Sequence, residues 1–110
     1  MKTANQIPYL PETDEYGLLL DPEQWNEEIA CTIASQHGID YLGKEHWLVI
    51  EALRSYFKKF GVAPAMHHIC HRHGKDKQWV HNLFGTCLNA WCIAGLPNPG
   101  EEAKSYLSDM

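Results

Sequence analysis

Hydrophobic and polar positions alternate with helical spacing through most of this chain. The clearest run covers 44–60, where Trp47, Ile50, Leu53, Phe57 and Phe60 recur on one face and Glu45, Glu51, Lys58 and Lys59 fall on the other. This pattern predicts the core helix, ended by Gly61. An earlier helix starts at Asp21-Pro22, the acid capping and the proline taking the first helical position; Trp25, Ile29 and Ile33 form its apolar face and Gly38 its stop. Three shorter helices are expected at about 65–73, 76–84 and 86–94, punctuated by Pro64, Gly74, Gly85 and Gly95. Before them, Ile7-Pro8-Tyr9-Leu10 and Tyr16-Gly17-Leu18-Leu19-Leu20 flank a turn-rich Pro11-Glu12-Thr13-Asp14, which predicts a small β-hairpin over 7–20. The expected fold is a mainly α, small orthogonal helical bundle: hairpin 7–20, helical body 21–99, and a C-terminal arm 100–110, all in one domain.

The arm follows from Trp91-Cys92-Ile93-Ala94-Gly95-Leu96-Pro97-Asn98-Pro99. Gly95 permits the left-handed turn that ends a helix, Pro97 prevents a restart, and Pro99 stiffens the exit. No long apolar run predicts a membrane span or secretory signal, so a cytoplasmic protein with free thiols is expected.

Charge changes the picture by its distribution. The formal net charge is −5, yet residues 54–77 carry six basic side chains (Arg54, Lys58, Lys59, Arg72, Lys75, Lys77) against one acid, Asp76. Residues 3–43 carry no Lys or Arg and eight acids. Such a molecule is electrically two-faced, and its basic face suits an anion or an acidic protein surface; a solvated helix surface is the plainer reading. The helices flanking Gly74 also have a short helix–turn–helix look, in which Arg72, Lys75, Lys77 and Gln78 would reach nucleic acid. Net acidity weighs against that reading.

Two groups of side chains carry candidate chemistry. Cys92 lies one turn before the hinge, with Cys87 about 140° around the same helix. A thiol at the base of a movable tail can exchange sulfur or simply pack, and no cation flanks Cys92 in sequence to favour its thiolate. Cys31 falls opposite the apolar face of its helix, where it is accessible. His67, Cys70 and His71 have the i, i+3, i+4 spacing of metal ligands, but no fourth ligand is evident, and helix-face histidines often only solvate. No nucleophile–base pair or phosphate loop is present.

Glu45-His46-Trp47, the aromatic Tyr56-Phe57, Val62-Ala63-Pro64-Ala65, Asn82-Leu83-Phe84 and Ile93-Ala94-Gly95-Leu96-Pro97-Asn98-Pro99, taken in order, resemble the DsrC/TusE family of sulfur-relay proteins. The resemblance spans 16–99 and implies a helical bundle with an N-terminal hairpin, no cofactor and no metal. It also implies a partner of the sulfur-relay or sulfite-reductase type, engaged through the hinge and basic face (Arg72, Lys75, Lys77, Trp91, Pro97 and Pro99). Carrier members of the family hold a persulfide on a penultimate cysteine of the arm, and some hold a second cysteine just before the hinge motif. Here the carrier position falls near Glu102, the second-cysteine position falls on Trp91, and the tail reads Ser108-Asp109-Met110. The expectation is therefore a non-enzymatic, regulatory or non-carrier accessory. Its alternatives are a carrier using Cys92 or Cys87, or a DNA-binding regulator.

Overall fold

The computed structural model describes residues 12–109. A 3₁₀ turn, Pro22–Gln24, precedes six helices: α1 (Glu27–Gln36), α2 (Lys44–Phe60), α3 (Met66–Arg72), α4 (Trp79–Phe84), α5 (Cys87–Ile93) and α6 (Glu101–Asp109). The short α5 is the hub. It packs against α1, α2, α4 and α6, and every residue in it except Asn89 is buried. Its start is tied twice: Thr86 Oγ1 accepts from the Asn89 amide at 3.1 Å, and Asn89 Nδ2 donates to the Phe84 carbonyl at 2.9 Å.

Helix α2 has the bounds its periodicity predicts, with Val49, Ile50 and Leu53 buried. Phe60, assigned to the apolar face, is instead 55% exposed, because it lies in the last turn and projects past the end of the core. Gly43 offers no side chain to cap α2, and His46 compensates. Its Nδ1 accepts from the Gly43 amide at 3.0 Å, so Nε2 carries the proton and donates to the Leu83 carbonyl, also at 3.0 Å. The same ring stands edge-on to Phe84, so one histidine starts α2 and fastens it to α4.

Three expectations need correction. The helix expected from Asp21-Pro22 begins as a 3₁₀ turn and then breaks: Trp25 is extended, and Asn26 caps α1 by accepting from the Ile29 amide at 2.9 Å. The break lets Trp25 reach α5 across the molecule, a tertiary demand that overrides the local start signal. The hairpin is also not seen among the described residues. Among the described residues there is no strand, only an isolated antiparallel bridge between Thr13 and Leu19, and residues 7–11 lie outside the described region. Asp14 explains the difference: its carboxylate accepts from the Tyr16 and Leu18 amides at 2.8 and 3.0 Å, winding the chain into a side-chain-closed turn. Leu18 and Leu19 are both buried, which no alternating strand would give. Finally, the fourth helix starts at Trp79 rather than Asp76, whose side chain holds the preceding turn by accepting from the Gln78 amide at 2.8 Å.

The segment read as an arm beyond Pro99 is helix α6, lying against α5. Asn98 Oδ1 accepts from the Gly100 amide at 2.8 Å to start it. Leu107 is fully buried, and Lys104, 6% exposed, pairs with Glu101 at 3.0 Å. The Tyr106 hydroxyl donates to the Pro64 carbonyl at 3.2 Å, tying α6 to the α2–α3 connection.

Gly95 is the most tightly specified backbone position. Its φ is +72°, and a Cβ there would overlap Cδ1 and Cγ of the Trp25 indole. Gly95→Ala combines left-handed strain with a steric clash and should destabilise the fold by at least about 2 kcal/mol. In thermal unfolding this should lower Tm by about 8 °C or more. Ala at Gly38, which also has positive φ (+83°) but no neighbour within 4 Å, should lower it by less.

Candidate functional site

The hinge is the best-organised site in the molecule, and its organisation begins with the carbonyls that the end of α5 leaves without helical partners. Trp25 Nε1 donates to the Ile93 carbonyl at 2.8 Å, and Arg54 Nη1 donates to the Ala94 carbonyl at 2.7 Å. The Arg54 guanidinium also lies 3.9 Å from the centre of the Trp25 ring. A cation at a helix C-terminus opposes the negative end of the helix dipole, and stacking on indole holds the guanidinium flat. Burial lowers the Arg54 pKa, though from so high a starting value that the side chain stays charged at neutral pH. Beyond the turn, Trp91 Nε1 donates to the Pro97 carbonyl at 2.7 Å, and Phe57 stands edge-on to the Trp91 ring. A hollow of about 330 Å³, lined by Trp25, Trp47, Glu51 and Arg54, opens this clamp to solvent.

The sequence-predicted residues divide around this clamp. Arg72, Lys75 and Lys77 are exposed at the α3–α4 turn, and Pro97 and Pro99 are half-buried at the hinge. Trp91, expected to touch a partner, is fully buried and works inside the fold as the strut between α5 and Pro97. Cys70 is buried, with its thiol directed at the Lys77 carbonyl 3.8 Å away, while His67 and His71 are exposed. The three are not brought together. Among the described residues, no group of three His, Cys, Asp or Glu side chains is placed to hold a metal ion.

All four cysteines are free thiols, and only Cys31 is exposed. Cys92 is fully buried beneath the Asp14–Leu18 turn, its Sγ donating to the Tyr16 carbonyl at 3.3 Å. Burial, and secondarily the charge of Asp14, push its pKa from an ordinary 9.0 to about 12. Burial, and secondarily Cys70, push Cys87 to about 11. Both are neutral thiols at physiological pH and poor nucleophiles as they stand. The same turn is held from α6, where the Lys104 ammonium sits 4.2 Å from the centre of the Tyr16 ring.

Sequence reasoning singled out the hinge but missed three residues that set it: Trp25, Arg54 and Tyr16. Trp25 and Arg54 had only the signals of core and surface residues, because their partners lie 68 and 40 positions away. Helix α6 did leave a trace: Asn98 and Gly100 ahead of an acidic first turn, then Ala103, Lys104 and Leu107 on one face.

Two outcomes follow for the thiols. Iodoacetamide at neutral pH should modify the native protein rapidly at Cys31 alone, with Cys70, Cys87 and Cys92 reacting only after denaturation, as peptide mass mapping would reveal. Because folding raises the Cys87 and Cys92 pKa values, their protonated forms support the fold below about pH 9, and that support is lost as pH rises towards 11–12. Urea midpoints should therefore fall between pH 9 and 11, with a shallower fall in Cys92→Ala.

The geometry agrees with what comparison with known proteins finds. The family model described as "DsrC like protein" matches residues 9–101. The protein named "Sulfurtransferase TusE" from Salmonella choleraesuis is 35% identical over 96 residues, covering 79% of this chain and 87% of that protein. The protein of the same name from Escherichia coli K12 is 35% identical over 97 residues, covering 80% and 88%. Among solved structures, the oxidized gamma-subunit of the dissimilatory sulfite reductase (DsrC) from Archaeoglobus fulgidus superposes with a TM-score of 0.73 at 35% identity, covering 83% of this chain and 90% of that one. A chain from the structure of dissimilatory sulfite reductase I gives a TM-score of 0.74 at 28% identity, covering 82% and 88%. With the match running through the core and the hinge, this chain belongs to the DsrC-like family.

Proposed function

We propose that this protein is an accessory of a sulfur relay, binding a sulfur-transfer or sulfite-reductase-type partner through the hinge and the basic face without carrying sulfur on its own C-terminal segment. Kinship with proteins named for sulfur transfer and for the sulfite reductase gamma-subunit supports the pathway. The observation that carries the non-carrier part is chemical. By the resemblance, the position of the family's arm thiol falls near Glu102, in the first turn of α6, and no cysteine lies between Pro99 and Met110. The nearest thiols, Cys87 and Cys92, are buried and protonated. A persulfide carrier needs a thiolate that meets its donor and then leaves readily, and neither group meets that need as folded. The protein would act by occupying a partner's docking site, a regulatory role rather than an enzymatic one. No helix among the described residues is long and apolar enough to cross a membrane.

A carrier role at Cys92 is the competing reading, favoured by its place one turn before the hinge. Intact-mass measurement after incubation with a persulfide donor separates the two. Because Cys31 is exposed, the experiment needs a Cys31→Ser background. We expect no gain of a sulfur atom in that background. A gain abolished by adding Cys92→Ser would establish the carrier instead.

A further inference from the structure

On the face of α2 next to the hinge clamp, with Glu51 and Ser55 lining both hollows, α2 and α3 enclose an open cleft of about 580 Å³. Leu48, Ala52 and Ile69 give it an apolar lining, and Lys59 and Arg72 stand on its rim from opposite helices. Tyr56 and Phe60 lie against each other at one end, ring centres 4.6 Å apart, with His68 edge-on to Tyr56. Two large apolar side chains lining the cleft are open to solvent: Leu48 (38%) and Phe60 (55%). Neither Lys59 nor Arg72 has an ion-pair partner among the described residues, although Glu51 shares the wall. An apolar centre with aromatic side chains and a charged rim is the anatomy of a protein interface.

We infer that this cleft docks an acidic segment of a partner protein that inserts one apolar or aromatic side chain between α2 and α3. Charge complementarity selects that occupant. The lining carries two permanent cations against one carboxylate, and the adjoining α2 and α3–α4 surfaces add Lys58, Lys75 and Lys77, all exposed. The aromatic pair and the apolar floor supply the anchor's pocket. A surface for nucleic acid would need a run of cations along a backbone track; here the cations gather around a hollow lined by apolar as well as polar side chains. The docking surface adjoins the hinge clamp and takes in Arg72 of the basic face, so it rests in part on the proposed docking role, but it does not depend on any sulfur chemistry of the protein.

The test uses the full chain against an immobilised array of random dodecapeptides, followed by fluorescence anisotropy with the peptide bound most strongly. The expected result is enrichment of peptides with several Asp or Glu around one aromatic or aliphatic residue. Affinity should fall at least about tenfold in Lys59→Glu and in Arg72→Glu, and similarly between low and physiological salt. Both side chains are exposed, so Tm should not move, which separates lost docking from lost folding. Phe60→Ala should weaken binding without altering its salt dependence. Peptides selected without acidic bias, or binding indifferent to both charge reversals, would overturn the inference. So would tighter binding of single-stranded RNA that the same reversals abolish, or a concentration-dependent dimer removed by Arg72→Glu, which would make a second copy the occupant.

Discussion

The last turn of α5 leaves carbonyl groups with no helical partner, and in a buried setting each must find a donor or carry a desolvation penalty. Here the donors come from far away in sequence: an indole from the segment before α1 and a guanidinium from the middle of α2. Each bond therefore ties a distant part of the chain to α5 as well as capping it. Gly95 belongs to the same arrangement, since only a residue without a side chain lets the Trp25 ring lie against the turn. The break between the 3₁₀ turn and α1, the orientation of α2 and the direction in which the chain leaves α5 all follow from this clamp. The bond from the charged Arg54 contributes roughly 1.5–3 kcal/mol and the neutral indole bond roughly 0.5–1.5 kcal/mol. For a domain with a single core, that is a large share of a narrow margin of stability.

The clamp also shows that the frame is built without the use of a thiol. The frame is held by Trp25, Arg54, Gly95 and Trp91, none of which is a thiol. The cysteines near it are enclosed, and their surroundings favour the neutral form. The architecture therefore rests on side chains other than thiols, and α6 is held on the body by the buried Leu107 and by the Tyr106 bond to Pro64.

What could be read from the sequence was what local interactions decide. Helix α2 was legible because its 3.6-residue pattern and its glycine stop lie within its own length, and α5 because Thr86 and Gly95 bracket it. The first helix was misjudged because Trp25 answers to Ile93 and Gly95 rather than to its neighbours. The hairpin was misjudged because the Asp14 side chain competes for the amides a ladder would use. For the candidate site, the hinge turn was legible from Gly95, Pro97 and Pro99, but the exposure of its parts was not. Whether Cys92 and Trp91 face solvent depends on the 14–18 turn and on Phe57, and helical spacing carries no information about such covers. Ser105 and the exposed face of α6 illustrate the reverse: their polarity marks the solvent side once the helix is known, yet proline punctuation ahead of it suggested an extended tail.

Tyr16 belongs to both ends of the described chain at once. Its carbonyl receives the Cys92 thiol, and its ring lies beneath the ammonium of Lys104 on α6. Peeling the C-terminal helix away thus strips support from the N-terminal turn, and lifting that turn uncovers a sulfur in the central helix. Sequence-distant parts of the described chain thus share one residue, and the cover over the Cys92 sulfur is only as firm as the seat of α6.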